Sequence, residues 1–112
     1  MKKRRCKSNP GNVFVNLDRP LPAHLKLKLG QNIAIVRDVS SAGENIVRSL
    51  IMSDPLVQDD KVSSGLHIPG QPADTFVVGL GAALKEGSGE ITIRLGPPSN
   101  KLLRLSFSVC CS

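Results

Sequence analysis

Leucine and lysine alternate without a break over Leu25-Lys26-Leu27-Lys28-Leu29. Successive side chains of a strand point to opposite faces, so this run predicts a half-buried strand with leucines inward and lysines in water. The same pattern recurs near the C-terminus. Ile91-Thr92-Ile93-Arg94-Leu95 alternates strictly, and Gly96-Pro97-Pro98-Ser99-Asn100-Lys101 is turn chemistry. Leu103, Leu105, Phe107 and Val109 then alternate with Arg104, Ser106 and Ser108. The two runs predict a hairpin with Ile91, Ile93, Leu95, Leu103, Leu105 and Phe107 on one buried face.

Further strands stand between breakers. Val13-Phe14-Val15-Asn16-Leu17 is one, ended by Asp18-Arg19-Pro20-Leu21-Pro22. Gly30-Gln31-Asn32 is a turn, and 33–39 is β-rich; its apolar block Ile33-Ala34-Ile35-Val36 predicts burial on both faces. Thr75-Phe76-Val77-Val78 is another strand. Gly79-Leu80-Gly81-Ala82-Ala83-Leu84 leaves open whether that strand continues through a bulge.

One segment reads differently. Ser41 and Glu44 fit a capping box, and Ile46, Val47, Leu50 and Ile51 make one helical stripe. This predicts a helix over about 42–52, weakened by Gly43 and the β-branched residues, with a strand over 45–52 as the rival. Residues 53–74 hold three Pro, two Gly and four Asp, which predicts a long irregular stretch with a short extended piece at Gly65-Leu66-His67-Ile68. Loops of that length are often functional or mobile.

These elements predict a mainly β fold: a small antiparallel sandwich or barrel, with one short helix and a disordered basic arm. A chain of 112 residues supports one domain, here 13–112 behind an arm at 1–12. With three Phe and neither Trp nor Tyr, its core must be aliphatic. At 40% hydrophobic and 21% charged, the body is not disordered by composition.

Charge is concentrated at the start. Lys2, Lys3, Arg4, Arg5 and Lys7 supply five of the 15 bases, leaving 10 against nine acids and a net +1 in the remainder. A near-neutral body with a cationic arm points to a polyanion, most simply nucleic acid. A targeting tag or a solubilising tail is the rival, and an anionic membrane surface a lesser one. A second basic surface arises if Lys26 and Lys28 adjoin Arg94 and Arg104, although ordinary solvated faces explain those residues as well. Phe14, Phe76 and Phe107 read as core, which argues against a sheet that stacks bases on aromatics.

Catalytic and metal chemistry find little support. His24 and His67 lie far apart in sequence with no cysteine near either. Asp54, Asp59 and Asp60 lack the calcium-loop pattern. Gly79-x-Gly81 lacks a third glycine, and no Gly-x-Ser-x-Gly elbow occurs. No cofactor or metal is expected, and the one enzymatic exception is a site in the 53–74 loop. Cys6, Cys110 and Cys111 have no metal-ligand spacing, and adjacent cysteines rarely bridge each other. With no apolar h-region and no span of 18 apolar residues, a reducing intracellular setting is expected, or a virion if the source is viral.

The expectation is therefore a non-enzymatic, self-associating structural protein, coat-type above ribosome-associated, whose arm contacts nucleic acid. A small β adaptor with a basic targeting tail is the alternative.

Overall fold

The computed structural model of the chain describes residues 11–60, 62 and 65–111. Eight strands follow one another among them: β1 (Asn12–Asn16), β2 (His24–Lys28), β3 (Asn32–Asp38), β4 (Val47–Met52), β5 (Leu56–Asp59), β6 (Thr75–Ala83), β7 (Gly87–Leu95) and β8 (Leu102–Cys110). They form two four-stranded sheets, ordered β1-β3-β6-β5 and β2-β8-β7-β4. A shared apolar cluster lies between them, with Ile33 and Ile35 from the first sheet and Leu27, Ile91, Ile93, Leu105 and Phe107 from the second. Each such side chain removed from water contributes about 1.5–3 kcal/mol. The arrangement is an open sandwich, not a closed barrel.

The strict alternations hold. Leu27 is 1% exposed between the exposed Lys26 and Lys28, and Leu105 is 2% exposed. The β7–β8 hairpin pairs Ile91 with Leu105 and Ile93 with Leu103, as the pattern requires. Ile33, Ala34, Ile35 and Val36 are all buried. Ile33 and Ile35 enter the main core, whereas Ala34 and Val36 join Val77 on the outer side of the first sheet. Phe14, Val62, Leu66 and Ile68 pack over that second cluster. The irregular stretch at 53–74 thus covers the outer side of the first sheet.

Three expectations are corrected. The sheets are mixed, because β1 pairs parallel with β3 and β2 parallel with β8. A parallel partner needs a crossover connection. Here β2, in the opposite sheet, is the crossover from β1 to β3.

The helix over 42–52 does not form. Among the described residues the only helical turn is a 3-10 turn at Val39–Ser41, followed by an extended Ala42. Gly43 and Asn45 then take positive φ, at 95° and 49°, which no right-handed helix accommodates. The β-branched run beyond them is strand β4, at the edge of the second sheet. The short strand β5 inside the 53–74 stretch is also new.

Strand β6 does continue through its glycines. Its register with β3 shifts where Gly79 opposes Ile35 and Val77 opposes Val36, leaving Val78 as the extra residue of a bulge. A Cβ on Gly79 would stand 2.7 Å from Leu50 Cδ1, and one on Gly81 would strike the Met52 sulfur. The two glycines let β4 side chains pack onto the backbone of the facing sheet.

Candidate nucleic-acid interface

The second sheet presents an outer face that no described segment covers. Alternation along β2 turns Lys26 and Lys28 onto it, while Leu27 points into the core. On β8 the outward residues are Arg104, Ser106, Ser108 and Cys110, and on β7 they are Ser88, Glu90, Thr92 and Arg94. Register fixes their neighbours: Lys26 lies beside Ser108, Lys28 beside Cys110, Arg104 beside Thr92 and Arg94 beside Leu102. The four bases singled out in the sequence therefore share one face. The lysine and arginine pairs sit toward opposite ends, since Ser108 and Arg104 are separated by about 13 Å of strand.

A fifth base joins them. Val47 opposes Leu95 and Ser49 opposes Arg94, so Arg48 is an extra residue in β4. A bulge re-aims a side chain. Val47 and Leu50 both pack against the core, and this parity is possible only because Arg48 and Ser49 both turn outward. Arg48 and Arg94 line one cleft of about 500 Å3 with Gly96, Pro97, Asn100 and Leu102. Sequence reasoning missed Arg48 because the helix assignment hid it.

Between the two basic ends, His24 bridges two hydroxyls. Its Nδ1 lies 2.9 Å from Ser106 Oγ and its Nε2 3.0 Å from Ser108 Oγ. Glu90, opposite Ser106, is the acid of this face. The surface is thus Lys26, Lys28, Arg48, Arg94 and Arg104 against one carboxylate, with hydroxyls between. None of the three Phe lies on it. Phe107 is in the core, and Phe14 packs over the first sheet. Phe76 lines an apolar cleft of about 350 Å3 with Ile46, Val47 and Val62. Phosphates, not stacked bases, are what such a face can hold.

The arm bases Lys2, Lys3, Arg4, Arg5 and Lys7 lie outside the described residues. His67 is exposed on the 53–74 stretch, and the described residues hold no group of three His, Cys, Asp or Glu fit for a metal. Cys110 is free and exposed, whereas Cys111 is disulfide-bonded.

An ion pair between the buried Arg37 and Asp18 at the surface braces the sheet corner near the Arg48 cleft. Arg37 is 4% exposed; its Nη1 donates to the carbonyls of Glu44 at 2.9 Å and Asn45 at 2.6 Å. Asp18 accepts from Arg37 Nη2 and from the Asp38 amide. Burial alone would raise the Asp18 pKa. Hydrogen bonds from Arg37, Asp38 and Ser41, with the Arg37 charge, together bring it below the usual carboxylate value.

The sequence matches no protein-family model and no curated protein. Among solved structures, the solution structure of Amebosin aligns with a TM-score of 0.49 at 16% identity, over 91% of this chain and 100% of that one. A likeness at this level assigns no function.

Proposed function

We propose that this chain is a non-enzymatic structural protein that binds nucleic acid through its phosphates. The observation that carries the reading is the outer face of the second sheet, where five bases are exposed against one carboxylate. Lys and Arg neutralise phosphates and release counterions. Without aromatics on the face, binding has little sequence preference. The basic arm adds a second set of phosphate contacts. The narrower form of the reading is a self-associating coat-type component.

The test is titration of a fluorescent single-stranded oligonucleotide with the full-length chain at low salt. Binding is expected, weakened both by removal of residues 1–9 and by neutralising Lys26, Lys28, Arg94 and Arg104. Absence of binding under these conditions overturns the proposal. For the narrower form, the purified chain should sediment as an assembly; a monomer at all concentrations removes it.

A further inference from the structure

We infer that the cleft between Arg48 and Arg94 is a discrete phosphate seat, distinct from the diffuse positive charge of the rest of the face. Three observations lead there. First, the bulge in β4 brings Arg48 to the side of the sheet that carries Arg94, and both line the same cleft. Two guanidiniums on one cavity make a recognisable arrangement, because each offers a planar fork of donors matched to phosphate oxygens. Second, neither arginine enters an ion pair among the described residues, although Arg48 also lines a second depression with Asp59 and Asp60. Third, Arg48 is positioned by its surroundings. Gly96 is buried, and a Cβ there would stand 2.8 Å from Arg48 Nε and 3.4 Å from its Cγ. The arginine stem therefore lies over the glycine, in space that any other residue would fill.

The floor of the cleft is also braced. The Gly96 amide donates to the Ile46 carbonyl at 2.8 Å, and the Asn45 amide to the Pro97 carbonyl at 3.1 Å. The Ser99 amide donates to Asn45 Oδ1 at 3.1 Å, and the Asn100 amide to the Gly96 carbonyl at 3.0 Å. The β7–β8 turn and the entry to β4 are thereby one unit, so the two guanidiniums share a fixed base. A site held this way loses less freedom on binding than loose surface lysines do.

The chemistry recognised is a phosphate group. Its source, a nucleic-acid backbone in place of a free phosphate, rests on the reading above, and the experiment separates the two. Full-length wild type, Arg48→Gln/Arg94→Gln and Gly96→Ala are each titrated with oligothymidylate and with inorganic pyrophosphate, with amide NMR spectra recorded. Gly96→Ala keeps every charge and displaces the Arg48 side chain, a readout that loss of net charge does not mimic; because its Cβ also meets the Ile46 carbonyl oxygen at 3.4 Å, unshifted Asn45 and Asn100 amides confirm that the turn is kept. Lys26→Gln/Lys28→Gln serves as the charge-matched control elsewhere on the face.

The seat predicts oligonucleotide affinity lower by about tenfold or more in Arg48→Gln/Arg94→Gln and lower in Gly96→Ala, with a smaller loss in the lysine control. It also predicts pyrophosphate shifts centred on Gly96 and Asn100. Pyrophosphate shifts there without oligonucleotide binding support the seat and overturn the nucleic-acid reading. Oligonucleotide binding unchanged in Gly96→Ala and equal in the two double variants overturns the seat and leaves the nucleic-acid reading standing. Folded protein that responds to neither probe overturns both.

Discussion

Arg37 Nη2 donates to Asp18 Oδ1 at 3.1 Å, tying the end of β3 to the turn that follows β1. The same guanidinium holds the Glu44 and Asn45 carbonyls, which lead into β4. One buried cation therefore gathers three chain segments at the corner beside the Arg48 cleft. Removing Arg37 strips the Glu44 and Asn45 carbonyls of their donor and leaves Asp18, which lies at the surface, without its guanidinium partner. Arg37→Ala is expected to cost about 2–3 kcal/mol by urea unfolding. A loss under about 1 kcal/mol, the range of an exposed pair, would show that the corner is not held this way.

The acid limb of stability should carry the mark of Asp18. Its pKa in the folded chain lies below 3.8, so its stabilising contribution is complete above the unfolded value. That contribution is lost as pH falls through the lowered folded value. Asp18→Asn should flatten the dependence of unfolding free energy on pH below about pH 4 relative to wild type. Parallel curves for the two proteins would remove the assignment.

Leu27→Ala and Leu105→Ala should each cost about 2–5 kcal/mol, while Lys26→Ala costs little. The two leucines are 1% and 2% exposed at the centres of their strands, and Lys26 faces water. Chemical denaturation of the three variants checks the register, since a slip by one residue would exchange the effects.

Those leucines also show what the sequence makes legible. Alternation reports a strand with one wet face, and β2, β7 and β8 belong to a sheet whose outer side is open. The all-apolar Ile33–Val36 block reports a strand covered twice, as β3 is. Strand β4 misleads for a physical reason. Its bulge at Arg48 turns Val47 and Leu50 to the same side, and a spacing of three between inward residues imitates a helix. The parallel pairs were invisible because no turn sets their register: His24 meets Ser106 and Asn12 meets Asn32 across intervening strands. Lys26, Lys28, Arg94 and Arg104 were found by their outward parity, but that they share a face depended on strand order. The rival strand over 45–52 is the one that forms, as β4, and Arg48 stays hidden because strict alternation does not anticipate the bulge that turns it outward.

The cysteines give a covalent check. Cys110 should react with an alkylating reagent in the native protein without reductant, and Cys111 only after reduction. Peptide mass mapping distinguishes the adjacent positions. Equal labelling of both in unreduced protein would contradict the disulfide at Cys111.

The most direct measurement of the central claim is the salt dependence of oligonucleotide binding. Each phosphate neutralised on a single strand contributes about −0.7 to the slope of log affinity against log salt. Neutralising Lys26, Lys28, Arg94 and Arg104 together should make that slope shallower by about 3, and neutralising Lys2, Lys3, Arg4, Arg5 and Lys7 by about 3.5. A slope that keeps its wild-type value after the four sheet bases are removed would contradict the account, because those four bases would then hold no phosphate.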